Sequence, residues 1–282
     1  MTTVDVGIVV PTRNSERTLA ACLRSLRCQD MPCELVVVDN HSTDRTAAIA
    51  KEFADRIVIR GPERSAQRNF GASLLSTRVI GFVDSDMVVA PQVARQALES
   101  IDAGAAAVIV PEDSFGEGAW ATVRRFERSF YEGDDRVEAA RFFDRAVFDR
   151  LGGFDESLNA GEDWDITIRV REVGDIARVL GRIGHDEGRI TYRQACSKKA
   201  SYAQGLQAFA NKNGRTALRS ALDRPYLKRP WRLVDRHPLL GVGVVALKLG
   251  EAVAVGIALT RPKFSVANTR SSGPEDDRAC DF

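Results

Sequence analysis

The chain has 282 residues, of which 44% are hydrophobic and 28% charged, and its 40 Lys and Arg against 39 Asp and Glu give a formal net charge of +1. This length suits one large α/β domain with an appendage. The composition excludes a largely disordered, collagenous or disulfide-framework chain, and the near-zero charge excludes a global field that attracts nucleic acid.

The cysteines and the N-terminus predict a reducing compartment. The cysteines form an odd set without a C-x-x-C pair: Cys22, Cys28, Cys33, Cys196 and Cys280. This pattern argues against a zinc ribbon or a disulfide framework, so we expect reduced, cytosolic thiols. Met1 leads straight into an apolar run, without the basic segment and cleavage site of an export signal. We therefore expect the folded domain in the cytoplasm.

Short apolar runs separated by helical periods predict an α/β fold with a mostly parallel sheet and helices on both faces. The predicted strands are Val4 to Val10, Leu35 to Val38, Arg56 to Ile59, Val79 to Val83 and Ala105 to Val110. Ligands of such sheets bind beyond the carboxyl ends of the strands. Polar segments follow three of these strands directly: Pro11 to Asn14, Asp39 to Asp44 and Asp84 to Asp86.

After Pro111 this alternation stops, and the chain becomes aromatic and charged. Helices are predicted over Asp144 to Leu151 and over Asp163 to Val173. A basic stretch and an apolar segment from Leu239 to Thr260 come next, and the polar tail from Ser265 is expected to be disordered.

Three polar groups suggest a site for a nucleoside diphosphate. Asp84-Ser85-Asp86 carries two carboxylates that can hold a hard divalent cation on phosphates. Asp39 can accept a hydrogen bond from a base N–H, and Arg68 lies where a pyrophosphate would be. Each group alone also fits an ordinary role, as a solvated loop, a strand followed by a helix cap, or a surface helix face.

Together these motifs resemble family 2 glycosyltransferases of the GT-A fold over residues 4 to 190. The residues that carry the resemblance are Pro11-Thr12-Arg13-Asn14, Val38 to Thr46, Arg68-Asn69-x-Gly71, Asp84-x-Asp86 and Gly161-Glu162-Asp163. The resemblance implies that the first motif, Asp39, Asp84 and Ser85 bind the donor nucleotide and that Asp86 holds Mn²⁺ or Mg²⁺. Arg13 departs from the family pattern, so the base stays open, with a UDP-sugar favoured over a GDP- or dTDP-sugar.

The resemblance also implies an inverting transfer in which one carboxylate deprotonates the acceptor. Asp163 is predicted as this base and Asp165 is the reserve candidate, while the alternative makes Glu162 and Asp163 helix N-terminal charges. Glu162 and Trp164 are placed on the acceptor side. His185 is predicted as a further metal ligand, or else as a hydrogen-bonded structural histidine.

The C-terminal part suggests contact with a membrane. The segment from Arg189 to Arg236 contains twelve Lys and Arg but only two Asp. Within it, Lys198, Lys199 and Tyr202 are predicted on one helix face, on the side of the acceptor or the lipid. Cations beside an apolar segment are typical of a cytoplasmic membrane face bearing anionic lipid, and this placement argues against nucleic acid as the partner. Residues 239–260 either span the bilayer, lie on it or pack in the protein, and Lys248 and Glu251 are spaced to pair.

The resulting prediction is a metal-dependent transferase that acts on a hydroxyl of a lipid-linked or cell-surface glycan. The alternatives are transfer to a polyprenyl phosphate, a soluble natural-product enzyme and a non-catalytic nucleotide-sugar-binding scaffold. The absence of a Q-x-x-R-W run favours addition of a single sugar. The predicted domains are 1–190, with a donor half 1–111 and an acceptor half 112–190, the extension 191–264 and the tail 265–282. A homo-oligomer is compatible with all of these.

Overall fold

The structure, a computed structural model, describes residues 4–134, 137–222, 226 and 230–260. The tail predicted to be disordered lies outside these residues, and so does Cys280. The cysteines within the described ranges, Cys22, Cys28, Cys33 and Cys196, are free thiols.

Within the described residues, ten strands form two sheets. They are β1 (Val6–Thr12), β2 (Cys33–Asp39), β3 (Arg56–Ile59), β4 (Val79–Phe82), β5 (Met87–Val89), β6 (Ala107–Ile109), β7 (Glu112–Glu117), β8 (Ala140–Asp144), β9 (Ile176–Arg178) and β10 (Ile183–Arg189). The large sheet has the order β3-β2-β1-β4-β8-β6-β9, and the small one has the order β5-β10-β7. All five predicted strands are present, with bounds shifted by at most two residues.

The helices described are α1 (Leu19–Arg27), α2 (Thr46–Phe53), α3 (Arg64–Ser73), α4 (Val93–Asp102), α5 (Ala119–Arg128), α6 (Arg145–Arg150), α7 (Glu162–Arg171), α8 (Tyr192–Leu222), α9 (Trp231–Arg236) and α10 (Pro238–Thr260). Helix α8 is interrupted at Gly214, whose backbone is not helical. The helices predicted over residues 144–151 and 163–173 correspond to α6 and α7.

The alternation of strands and helices continues beyond Pro111, contrary to the sequence-based expectation. Strand β8 lies between β4 and β6 and runs antiparallel to both, while β9 pairs with β6 in parallel. Both predicted halves therefore contribute strands to one sheet. The aromatic run Phe142-Phe143 hid this strand, because both rings are buried and the residues show no alternation of polar and apolar side chains.

The two faces of the large sheet bury separate cores. Ile8 and Val10 of β1 pack with α1 and α4 on one face, whereas Val9 packs with α3, α6 and α7 on the other. Helix α3 approaches the sheet so closely that a Cβ on Gly71 would lie 2.4 Å from Val9 Cγ1. Glycine at this position therefore lets α3 pack directly against β1.

The C-terminal helices pack on α5. Val123 and Phe126 of α5, Leu233 of α9 and Val244 and Leu247 of α10 share a third apolar core. By length and composition, residues Pro238–Ala258 could cross a membrane, with a mean hydropathy of 1.8 and 22% of the segment buried. Through Val244 and Leu247, one face of α10 packs against α5 and α9.

Candidate functional site

The carboxyl ends of β1 and β2 are tied together beneath the site. Thr12 pairs with Asp39 in the parallel register, and Gln67 Nε2 donates to the carbonyl oxygens of Thr12 at 3.1 Å and Val38 at 2.6 Å. Gln67 is buried, so this amide satisfies backbone acceptors that end the two strands. The loops after β1 and β2 therefore start from fixed positions.

The loops after β1 and β2 hold each other through Asn14 and Ser42. The Asn14 N–H donates to Ser42 Oγ at 2.8 Å, and the Thr43 N–H donates to Asn14 Oδ1 at 2.8 Å. The buried Asp39 carboxylate accepts hydrogen bonds from the Ser42 N–H and hydroxyl. Asn14 and Asp39 therefore shape these loops, and their predicted contacts with a nucleoside stay predictions.

A cavity of about 1160 Å³ opens beside these loops. Pro11, Thr12 and Arg13 line it at one end, and Asp84, Ser85 and Asp86 lie along it. Glu162, Asp163, Trp164, His185, Lys198, Lys199 and Tyr202 line it as well. The structure thus brings most of the predicted site residues to one cavity, although they span nearly two hundred positions.

Two buried arginines join the carboxylates. Arg68 has no exposed surface, and its guanidinium donates to Asp84 Oδ1 at 2.7 Å and to Asp163 Oδ1 at 2.6 Å. Arg141 lies 3.4 Å from Asp84 Oδ2 and 3.6 Å from Asp163 Oδ2. Burial alone would raise the pKa of Asp84, but Arg68, Arg141 and Arg64 outweigh it and hold that pKa well below its usual range.

The position of Arg68 differs from the one predicted on the diphosphate. Its two terminal nitrogens face carboxylates inside the protein, and its Cζ lies 5.1 Å from the centroid of the Phe154 ring. The adjacent Asn69 holds the loop after α6, because its Oδ1 accepts from the Phe154 N–H at 2.9 Å. This motif accordingly positions acidic groups and a loop in the structure.

Gly161 is the N-cap residue of α7 and has a φ of +82°, which glycine adopts without strain. The first turn of α7 lines the cavity. Within this turn Asp163 is 24% exposed, whereas the Glu162 side chain is 5% exposed. Burial and the neighbouring Asp163 charge raise the pKa of Glu162. Asp165 is buried and ion-paired with Arg169 and Lys212, so the geometry favours Asp163 over this reserve candidate.

Asp86 and His185 meet because of the small sheet. His185 lies within β10 and pairs with Met87 of β5, the residue after Asp86. His185 Nε2 is 3.0 Å from Asp86 Oδ2, and His185 Nδ1 is buried without a hydrogen-bond partner. Sequence reasoning missed this sheet, because β5 has only three residues.

The Asp86 carboxylate suits Mn²⁺ and Mg²⁺, and His185 Nε2, 3.0 Å from it, would add a nitrogen ligand that fits Mn²⁺ better than Mg²⁺. In the part of the chain that the structure describes, no three His, Cys, Asp or Glu side chains lie together as a ready metal site. A hard cation bound here would therefore need oxygens from outside the protein, as Mg²⁺ sites on phosphates commonly do.

The predicted acceptor-side residues lie beyond the carboxylates. Trp164 Nε1 donates to the Val137 carbonyl oxygen at 2.9 Å, and the Tyr202 ring lies 5.8 Å from Arg64 Cζ. Burial alone would raise the pKa of Asp86. His185 and then Lys198 outweigh burial, and the pKa of Asp86 is lowered. The basic face of α8 therefore reaches the same cavity as the metal-binding candidates.

Sequence reasoning missed Arg141, Glu112 and Ser15. Arg141 donates to Glu112 Oε1 at 2.6 Å, and Ser15 Oγ is 2.9 Å from Ser85 Oγ. No local pattern marks Arg141, which stands between Ala140 and two phenylalanines. Only the placement of β8 beside β4 brings it to Asp84.

Comparisons with known proteins agree with this arrangement. A family model described as glycosyl transferase family 2 matches residues 7–154. The poly(ribitol-phosphate) beta-N-acetylglucosaminyltransferase TarS of Staphylococcus aureus (strain Mu50) is 32% identical over 108 residues, which make up 34% of this chain and 18% of that protein. The matches to three curated relatives, TarS among them, span 15%, 25% and 18% of those proteins' lengths.

Two solved structures share the fold. TarS 1-349 in complex with UDP-GlcNAc has a TM-score of 0.58 at 17% identity, and the match covers 91% of this chain and 81% of that one. The mannosyltransferase PcManGT from Pyrobaculum calidifontis, in complex with GDP-Man and Mn²⁺, has a TM-score of 0.58 at 18% identity, covering 89% and 88%. These matches confirm the predicted α/β fold of GT-A type.

Proposed function

The chain belongs to glycosyl transferase family 2, and from that membership we propose that it moves one sugar from a nucleoside diphosphate sugar to an acceptor hydroxyl with inversion at the anomeric carbon. The single observation that carries the proposal is the cluster in which Arg68 and Arg141 hold Asp84 and Asp163 beside the Asp86–His185 pair. One cavity contains the candidate donor end, the candidate metal ligands and the candidate base.

The donor end is the part of the cavity lined by Pro11, Thr12, Arg13 and Ser85. It lies beyond the carboxyl ends of parallel strands, where nucleotides bind in α/β sheets. The neighbouring structures hold UDP-GlcNAc and GDP-Man. We propose a UDP-sugar here, with GDP- and dTDP-sugars as the competing donors for the screen described below.

Asp86 and His185 would hold Mn²⁺ or Mg²⁺. When bound, such a cation would neutralise charge on the leaving diphosphate. Two contacts hold the proposed metal ligands in place. Ser15 hydrogen-bonds Ser85, which lies between the two aspartates, and the pairing of β10 with β5 holds His185 opposite Met87. The Mn²⁺ in the mannosyltransferase complex supports the choice of metal.

Asp163 is the proposed base. Arg68 and Arg141 orient its carboxylate from within the protein, and its exposed fraction faces the cavity. Asp163 takes the proton of the acceptor hydroxyl, the hydroxyl oxygen bonds to the anomeric carbon, and the bond from that carbon to the diphosphate breaks. General-base help of this kind contributes roughly 10²- to 10⁴-fold.

The membrane is proposed as the location of the acceptor. Lys248 and Glu251 of α10 pair with each other at 2.8 Å, and they point at Glu127 and Arg124 of α5. Among residues 238–258 the exposed side chains of α10 are apolar, and the large ones are Leu239, Val242, Val245, Leu249, Val253 and Ile257. The ion-paired residues and the exposed apolar side chains support a helix that lies in the membrane interface rather than one that spans it. We propose that the positive charge of the basic stretch adds an attraction to anionic lipid.

A screen for hydrolysis of UDP-, GDP- and dTDP-sugars with Mn²⁺ or Mg²⁺ tests the proposed function, because slow hydrolysis reveals the donor without an acceptor. We expect metal-dependent hydrolysis of one nucleotide class. Transfer onto a polyprenyl phosphate that is insensitive to Asp163→Asn would favour the phosphate acceptor, since that group is already ionised. Nucleotide-sugar binding without turnover would favour the scaffold alternative.

A further inference from the structure

The cavity continues beyond the donor and metal residues into a far end between α5 and α10. Arg124, Glu127 and Tyr131 line it from one side, and Val244, Val245, Lys248 and Glu251 of α10 line it from the other. Small-molecule pockets commonly measure about 300–1,000 Å³, and this cavity of about 1160 Å³ exceeds that range. It therefore has room for a second ligand beside a nucleotide sugar.

Four charged side chains lie together in the far end, and we call Arg124, Glu127, Lys248 and Glu251 the charge quartet. The Tyr131 hydroxyl donates to Glu127 Oε1 beside them. Lys248 Nζ lies 2.5 Å from Glu127 Oε1 and 2.8 Å from Glu251 Oε2, and Arg124 Nη1 lies 3.2 Å from Glu251 Oε1. Both glutamates are at least nine-tenths buried. With two positive and two negative groups, the quartet carries no net charge.

Three atoms of the quartet are buried without a hydrogen-bond partner: Arg124 Nε, Glu127 Oε2 and Glu251 Oε1. Arg124 Nη1 lies 4.0 Å from Glu127 Oε2 and 3.2 Å from Glu251 Oε1, but neither ion pair has hydrogen-bond geometry. Buried polar atoms without partners are unfavourable, and such groups in native structures call for a specific explanation. One donor and two acceptors match the hydroxyl groups of a sugar, which both donate and accept.

The remaining lining argues for a neutral ligand with an apolar part. A phosphate would meet two buried carboxylates without a surplus of positive charge to offset them. Val244, Val245, Leu233 and Tyr226 supply apolar surface around the quartet. A glycoside with an alkyl or lipid group has both the hydroxyls and the apolar surface that this lining requires.

The far end is linked to the candidate base through α5. Arg128 lies one turn beyond Arg124 and pairs with Glu112 at 3.3 Å, and Glu112 accepts a hydrogen bond from Arg141 at 2.6 Å. Arg141 in turn contacts Asp163. Helix α5 and this chain of ion pairs therefore connect the far end to the residues that hold the proposed base.

We infer that the far end is an acceptor subsite that binds a neutral glycoside, with the glycoside hydroxyls on the charge quartet and its apolar group along α10. This inference rests on the proposed function, because it gives the substrate class of the acceptor. It adds Arg124, Glu127, Lys248 and Glu251 to the residues that select the acceptor.

Ligand-observed NMR titration with octyl β-glucoside, kept below its critical micelle concentration, tests the subsite on the full chain. An octyl ether of triethylene glycol has the same tail without a sugar, and octyl phosphate has a charged head. Val245→Trp fills the rim of the far end from a half-exposed position, and Val242→Trp is the matched control on the outward face of α10. Equal melting temperatures of the two variants check the fold.

We expect the wild-type protein to bind the glucoside more tightly than either other ligand, with at least tenfold weaker binding by Val245→Trp and less than twofold by Val242→Trp. If Val245→Trp fails to fold, Glu251→Gln takes its place, with an expected loss of at least threefold. Equal effects of the two Trp variants, tighter binding of octyl phosphate, or no preference for the glucoside would overturn the subsite. Donor hydrolysis by the wild-type protein is measured separately, so its absence would contradict the proposed function and leave the binding result standing.

Discussion

Arg68 donates to Asp163 across 95 residues of sequence, at 2.6 Å and from a position with no exposed surface. The same guanidinium also donates to Asp84, so one buried cation fixes the first aspartate of the D-x-D motif and the proposed base relative to each other. Planar guanidinium groups suit such two-sided pairing, because their donors point in fixed directions.

Arg68→Met should destabilise the protein by about 3–5 kcal/mol, since removal of one partner leaves buried carboxylates without their counter-charge. Urea unfolding at neutral pH measures this loss. Arg95→Met is the matched control, because Arg95 pairs with Asp30 and Glu99 at the surface, where such pairs contribute about 0–1 kcal/mol. Equal losses in the two variants would show that Arg68 has no special role.

The strand order near Arg68 also shows where sequence-based prediction reached its limit. The strands up to β4 and the ligand-bearing loops after them follow from local apolar runs and their polar ends. Strand β8 and the small sheet depend on pairing between distant segments, which leaves no local signal. Consequently Asp84, Asp86 and Asp163 were predicted individually, whereas Arg141 and the register that aligns His185 with Met87 were not.

Asp86→Ala should abolish the Mn²⁺-dependent part of nucleotide binding, because it removes the proposed carboxylate ligand. Calorimetric titration of UDP and GDP with and without Mn²⁺ measures this part. Asp186→Ala is the control: Asp186 follows His185 in β10 but forms an ion pair with Arg17. Metal-dependent affinity that survives in Asp86→Ala would remove Asp86 from the metal site.

Acid should destabilise the protein through Glu112. Burial alone would raise the pKa of Glu112, but Arg141 and Arg128 outweigh it and lower that pKa in the folded state. The unfolded chain then binds more protons as the pH falls, so this contribution to stability is present above about pH 4.5 and is lost below it. Glu112→Gln should therefore lose less unfolding free energy than the wild type as the pH falls from 6 to about 3. Parallel declines, measured by urea unfolding, would contradict this assignment.

Membrane contact through α10 should depend on its outward face. Val253→Asp should weaken binding to anionic vesicles about tenfold or more, because a carboxylate must then leave water for the interface. Flotation at low and high salt measures binding and separates the salt-screened attraction from apolar burial. Leu180→Asp changes an exposed apolar side chain on the sheet domain and should bind as the wild type does. A full chain that never floats would contradict membrane contact and favour the soluble enzyme.

The proposed mechanism requires that Asp163 deprotonates the acceptor while Asp86 and the loops after β1 and β2 hold the donor. Comparison of nucleotide affinity with turnover in Asp163→Asn tests it most directly, with Asp165→Asn as the neighbouring variant that alters a buried ion pair. We expect Asp163→Asn to keep the wild-type Kd for the nucleotide and to lose roughly 10²-fold or more in kcat, because a base acts only in the transition state. Wild-type turnover in Asp163→Asn, with an unchanged Kd, would contradict it.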